Sequence, residues 1–201
     1  MSNSTNNRDW SAYYHAIAGS PPRKTLLTAL TNFEQKAWGK LAVDLGCGNG
    51  IDTQELIKHG WFVLAIDGEE LAIQQLHQLI SGDTNRLQTQ VSQFNAVELP
   101  EDVDLINASY SLPFCHPDDF LQLWEKIVKA LKPGGRFAGQ LFGIRDSWSS
   151  SPSMTFHSRT QVETLLVPFA IEVIEEQEYL GKTALGEEKY WHIFHIVACK
   201  K

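Results

Sequence analysis

The chain has 201 residues, enough for one domain with a sizeable buried core, and its 43% hydrophobic and 20% charged residues are the balance of an ordinary globular protein. A formal charge of −7 excludes the broad basic field that attracts nucleic acid or an anionic membrane surface. No apolar stretch approaches the ~20 residues that span a bilayer, so neither nucleic acid nor membrane is expected as a partner.

Residues 1–9, polar and rich in Ser, Asn and Thr, are expected as a disordered tail without the apolar segment of a secretory signal, and residues 10–201 as a single domain. Trp10, Tyr13 and Tyr14 then form an aromatic group that suits an apolar anchor or lid. Pro21-Pro22 opens a helix over Arg23–Ala37, with Leu26, Leu27, Leu30 and Phe33 on one face. A first strand at Leu41–Leu45 leads into a helix that begins near Asp52 and ends at the cap Gly60. A second strand, Trp61–Ile66, precedes a helix at Glu70–Ile80, and a weak third strand lies near Leu87–Val91. The fourth strand is Val103–Asn107. Asp118–Leu131 carries Phe120, Leu121, Trp124, Ile127, Val128 and Leu131 at helical spacing. The turn Lys132-Pro133-Gly134-Gly135 feeds a fifth strand, Arg136–Phe142, because proline stops the helix and the glycines permit the reversal. Arg145–Ser153 is a polar loop or lid, followed by a helix near Thr160–Val167. Ile171–Leu180 and Lys189–Cys199 close the chain as two strands around a turn with Gly181 and Gly186. Strands alternating with helices predict an α/β fold, a mostly parallel sheet with helices on both faces and an antiparallel hairpin at its end.

Cys47, Cys115 and Cys199 are odd in number and widely spaced, which gives neither a disulfide framework nor a metal-ligand spacing. Three free thiols in a reducing cytoplasm, and no metal, are the expectation.

The chemistry concentrates in Val43-Asp44-Leu45-Gly46-Cys47-Gly48-Asn49-Gly50, where a strand enters a helix through a glycine turn. Glycine lets a ligand approach the backbone, and the carboxyl end of a strand is where an open α/β sheet binds its cofactor. Ile51 stands where a dinucleotide fingerprint would continue with glycine, so a nucleotide without a pyrophosphate fits better. Asp67, at the end of the second strand and beside Gly68, can accept hydrogen bonds from both hydroxyls of a ribose. The same Asp could simply close an exposed turn.

Together, the glycine turn, Asp67 and Leu131-Lys132-Pro133-Gly134-Gly135 resemble the class I S-adenosylmethionine-dependent methyltransferases over nearly the whole chain. The resemblance implies a Rossmann-like seven-stranded sheet whose last strand inserts antiparallel, and S-adenosylmethionine as cofactor. It implies a methionine moiety over Asp44, Gly46, Cys47 and Gly48, with the fourth-strand exit (Asn107, Ala108, Ser109) on its other side. It also implies a ribose held near Asp67 and Gly68, and an adenine flanked by Gln93 and Phe94. The segments Phe156–Gln161, Phe169, Glu175-Glu176 and Tyr190-Trp191-His192 loosely resemble the tellurite-resistance methyltransferases within that superfamily.

Methyl transfer from a sulfonium needs desolvation, proximity and alignment more than a catalytic side chain, and none is evident. The expected substrate is a small molecule whose accepting atom is oxygen, sulfur, nitrogen, selenium or tellurium, acted on by a monomer or homodimer. Candidate substrate contacts are Tyr14, Tyr110, Phe114, His116, Arg145 and Trp148, on loops at the carboxyl ends of the strands or in the amino-terminal segment. His116 could equally stand beside a helix start. Arg145 could bind an anion or be a solvated charge. His192 and His195 are expected on a solvent-facing strand side. Asn107-Ala108-Ser109-Tyr110 replaces the Asn-Pro-Pro-Tyr of enzymes that methylate adenine, cytosine or glutamine amino groups, which argues against that chemistry. The competing readings are a nicotinamide-dependent oxidoreductase and a catalytically silent, cofactor-binding partner of another methyltransferase.

Overall fold

Continuous apolar runs bounded by turns become the buried strands of a central sheet, and the strips of apolar residues between them become the helices that cover it. The structure is a computed structural model that describes residues 8–33, 39–80 and 84–201. Parallel strands β1 (Leu41–Leu45), β2 (Phe62–Asp67), β3 (Leu87–Val91), β4 (Val103–Ala108) and β5 (Leu131–Gly143) are joined by β7 (Phe169–Lys182) and β8 (Glu188–Lys200). The order is β3-β2-β1-β4-β5-β8-β7, with β8 antiparallel to both β5 and β7. This is the doubly wound sheet with the closing hairpin that the pattern predicts. A two-residue strand β6 (Phe156–His157), which the sequence does not announce, pairs with the end of β5.

Chain order reverses between β1 and β4, so a crevice opens beyond their carboxyl ends. In register there, Asp44 lies opposite Ala65 on one side and Asn107 on the other.

Helices α1 (Trp10–Ala16), α2 (Lys24–Asn32), α3 (Ile51–Lys58), α4 (Glu70–Leu79), α5 (Pro117–Ala130) and α6 (Arg159–Leu165) complete the fold. On one face of the sheet, Phe120, Leu123, Trp124 and Ile127 of α5 pack with Val43, Ile106, Phe137 and Phe194. On the other, Leu26 and Ala29 of α2, Leu56 of α3 and Leu76 of α4 pack with Ala42, Ala65 and Val197. A third, aromatic cluster around Phe142, Met154 and Ile193 gathers Tyr110, Phe114, Trp148 and Trp191 at the end of the sheet.

Several boundaries move. The helix expected to Ala37 is capped at Phe33, and its last expected residues lie outside the described ones. Leu131 pairs with Val103 but Arg136 with Leu105, so Lys132–Gly135 bulges within a longer β5 instead of preceding it. Most of the tail expected over 1–9 lies outside the described residues. Of its last two, Asp9 caps α1 by accepting from Ala12 N–H, and the Arg8 guanidinium lies over Phe114 and Trp148. Among the described residues no helix is long and apolar enough to cross a membrane.

Candidate functional site

The turn between β1 and α3 owes its glycines chiefly to the protein itself. Gly46 has φ +76°, and a Cβ there would stand 2.3 Å from Ser111 Cβ. Gly50, the residue before α3, has φ +89° and a Cβ would meet Leu76 Cδ1 at 2.1 Å. The amides of Gly46 and Cys47 both donate to the Ile66 carbonyl, which ties the turn to β2.

Asp67 completes this tie. Its carboxylate accepts from Gly48 N–H at 2.8 Å and Glu69 N–H at 2.9 Å, and the Tyr14 hydroxyl stands at 3.5 Å. Burial raises its pKa, while those donors pull it back. The Tyr14 ring lies over Gly48, so α1 rests on the turn.

A second knot of acids sits at the ends of β1 and β4. Asp44 accepts from Thr53 Oγ1 at 2.5 Å and from Asn107 Nδ2 at 2.9 Å. The same Asn107 amide donates to Asp52 at 3.0 Å, and Asp52 also accepts from Ser109 Oγ at 2.6 Å and Arg23 N–H at 2.9 Å. Burial and then the charge of Asp52 raise the Asp44 pKa well above the usual carboxylate range.

These groups line a cleft of about 750 Å³ over the crevice. It brings together Asp44, Gly46, Cys47, Gly48, Asp67, Gly68, Gln93 and Phe94 of the expected cofactor set with Tyr14, Tyr110, Phe114 and His116 of the expected substrate set. Gln93 Nε2 donates to the Gly68 carbonyl at 3.1 Å, closing the cleft edge. His116 Nδ1 accepts from Asp118 N–H and caps α5. Tyr110 holds φ +56°, a left-handed conformation uncommon for a bulky residue, and donates its amide to Gln140 Oε1.

Four expectations are corrected. Asn107 and Ala108 are fully buried and do not line the cleft, because β4 continues through Ala108; Ser109, Tyr110 and Ser111 take that place. Arg145 points away from the cleft into Glu176 and Glu178, at 2.9 and 2.7 Å. Trp148 faces a different cavity, beneath the closing hairpin. His192, expected at a solvent face, is fully buried between Glu176 and Arg145.

Sequence reasoning placed Trp10 and Tyr13 as an anchor or lid and gave no site role to Arg23, Asn49, Asp52, Glu69 and Ser111, all of which line the cleft wall. For Asp52 a signal existed: a carboxylate in the first turn of a helix that opens on the site.

Comparison with known proteins gives likenesses of sequence and of fold. A family profile described as a methyltransferase domain matches residues 42–135. The ubiquinone biosynthesis O-methyltransferase of Pseudomonas fluorescens (strain SBW25) is 34% identical over 100 residues, 49% of this chain and 42% of that protein. The chain thus spans less than half the length of the curated relatives it matches. Among solved structures, TehB of Haemophilus influenzae superposes with a TM-score of 0.73 at 15% identity, covering 89% of this chain and 62% of that one. The 1,6-didemethyltoxoflavin-N1-methyltransferase of Burkholderia thailandensis, solved with its substrate and S-adenosylhomocysteine, gives 0.67 at 18% identity, covering 95% and 84%.

Proposed function

We propose, from the premise that the chain carries a methyltransferase domain of the class I S-adenosylmethionine-dependent kind, that it moves a methyl group onto a small-molecule acceptor. The observation that carries this reading is the charge of the cleft. Five acidic residues, Asp44, Asp52, Asp67, Glu69 and Asp119, line it, and Arg23 and His116 are the basic residues in its described wall. A ligand with a sulfonium and an ammonium group suits that field, whereas the pyrophosphate of a dinucleotide does not. This disfavours the nicotinamide reading.

The residues present fit the cofactor. Asp67 keeps acceptor capacity beyond its two backbone donors, and the Tyr14 hydroxyl at 3.5 Å marks an approach that a ribose hydroxyl can use. Gly68, Gln93 and Phe94 would border the base, and Asp44, Asp52 and the turn would face the methionine portion. When bound, S-adenosylmethionine supplies an electrophilic methyl group for in-line displacement. The chain contributes positioning and exclusion of water, with α1 lying across the turn. Asp44 and Asp52 accept from Thr53, Asn107, Ser109 and Arg23, so both serve first to hold the crevice together. An acceptor that is already anionic, or acidic enough to ionise alone, needs no base. The likeness to O-methyltransferases favours oxygen, with sulfur, nitrogen, selenium and tellurium as the alternatives.

The test is S-adenosylhomocysteine formation over a panel of phenols, thiols, amines, selenite and tellurite, with cofactor affinity by calorimetry. Turnover on one class identifies the acceptor. A protein that binds neither S-adenosylmethionine nor S-adenosylhomocysteine refutes the proposal. Binding without turnover, with activity restored by a partner subunit, would point to the silent-partner reading.

A further inference from the structure

A second chamber, of about 710 Å³, lies beneath α1, the 145–153 loop and the tip of the β7–β8 hairpin. Trp10, Tyr13, Ile17, Arg23, Tyr110 and Phe114 line both cavities, so the chamber opens into the cleft. Asp67, Gly68, Gln93 and Phe94 line only the cleft, which puts the junction at the end remote from the ribose side. We infer that this chamber is a subsite for a planar aromatic acceptor bearing an anionic group, with Arg8 and Arg23 as the anion-binding pair. The inference rests on the methyl-transfer reading and deepens it.

The walls select for flat, apolar ligands. Eight of the seventeen lining residues are Trp, Tyr or Phe in a chain that is 10% aromatic, so the enrichment is local. Their rings meet at mixed angles, Phe142 against Trp191 at 81° and Tyr179 against Trp191 at 21°, leaving both faces and edges for an inserted ring.

The charges select for an anion. The Arg8 guanidinium lies 4.5 Å from the Phe114 ring centre and 4.0 Å from that of Trp148; its hydrogen bond is to Met154 Sδ at 3.2 Å, a weak acceptor. The Arg23 guanidinium stands 5.1 Å from the Tyr110 ring centre and beside the Tyr13 hydroxyl. Among the described residues neither guanidinium is within ion-pair distance of a carboxylate, unlike Arg136, Arg145 and Arg159. Desolvation depresses the Arg8 pKa, and Glu187 and Asp146 are the acids that act on it. Asp146 is committed to Lys189, Trp148 N–H and His192 N–H, and Asp9 to the start of α1. Glu187, and the charge that Asp9 keeps at the start of α1, are the acids of the chamber wall that oppose an anion. A cationic ligand is disfavoured because the protein's own cations already occupy the aromatic faces: Arg8 on Trp148, and Lys189 4.0 Å from Trp148 and 4.3 Å from Trp191. A partly desolvated guanidinium without a carboxylate leaves a place for a ligand's own.

The experiment is calorimetric titration of 2-naphthoate and of its uncharged analogue 2-naphthalenemethanol into the full chain, with S-adenosylhomocysteine titrated separately. Naphthoate is expected to bind more tightly than the alcohol. Arg8→Gln and Arg23→Gln should each weaken naphthoate by roughly tenfold, the scale of one lost charge-assisted hydrogen bond, and leave the alcohol unchanged. Equal affinity for acid and alcohol, or naphthoate affinity insensitive to both variants, overturns the inference; so does no naphthoate binding by a protein that binds S-adenosylhomocysteine. Naphthoate binding without S-adenosylhomocysteine binding refutes the methyl-transfer reading and supports the anionic chamber. The comparison of acid with alcohol needs no variant, so it stands even if a substitution impairs folding.

Discussion

Replacing Asp67 by alanine removes a carboxylate that serves the fold and the cleft at once, and a ligand-side comparison separates the two. On the fold side, Gly48 N–H and Glu69 N–H each lose an acceptor at 2.8 and 2.9 Å. At about 1–3 kcal/mol for each donor left unpaired, and less where water reaches it, the loss is about 2–4 kcal/mol. In a chain of 201 residues that lowers Tm by roughly 5–15 °C. On the ligand side, a carboxylate has about four acceptor positions, of which the backbone donors take two. Adenosine should therefore bind the native protein more tightly than 2′,3′-dideoxyadenosine by about 1.5–3 kcal/mol, the worth of hydrogen bonds to a charged acceptor. In Asp67→Ala the two nucleosides should bind equally. Calorimetry with both ligands on both proteins closes the cycle. If adenosine keeps its advantage in the variant, Asp67 does not hold the ribose, however far the Tm falls.

Two more outcomes follow from the same wall. Asp44 carries a raised pKa from burial and from Asp52, so the folded chain holds a proton that the unfolded chain releases near its ordinary value of about 4. That contribution to stability is full below the unfolded pKa and is lost as pH rises through the folded one; Asp44→Asn should flatten this decline in urea titrations between pH 4 and 8, and an unchanged slope would contradict it. Gly46→Ala meets two obstacles, a Cβ 2.3 Å from Ser111 Cβ and a φ of +76°. It should cost about 2–4 kcal/mol in the native background but only the left-handed cost of about 1–2 kcal/mol when measured against Ser111→Gly, a difference that vanishes if Ser111 is not the obstacle.

Local chemistry made the proposed cofactor end legible. The turn Gly46–Gly50, Asp67 at the end of β2 and the order of strand and helix follow from residues adjacent in sequence, and the structure brings them to one crevice. Long-range geometry hid the rest. Asn107 reads as a strand-end contact, yet one more residue of pairing, Ala108 with Gly139, carries the exit past it and leaves its amide bridging two acids. Arg145 reads as a loop charge facing a substrate, but its direction is fixed by Glu176 and Glu178, some thirty residues later on β7. His192 follows the alternation of a half-exposed strand and is nonetheless buried, because the Arg145 side chain and amide close over it. Phe156-His157 is too short for periodicity to reveal it as β6.

The amino-terminal helix links the two cavities. From a helix of seven residues, Tyr14 reaches Gly48 and Asp67 in the cleft while Trp10 and Tyr13 line the aromatic chamber. Asn49 Nδ2 donates to the Tyr14 carbonyl at 3.1 Å, so the glycine turn also grips the helix by its backbone. The chain after it returns to the site through Arg23, whose amide donates to Asp52 and whose guanidinium faces the chamber. One short helix thus supplies a contact to the turn and Asp67 and part of the wall of both cavities. The cleft and the chamber are in this way joined through a segment whose sequence shows three aromatic residues and a pair of prolines.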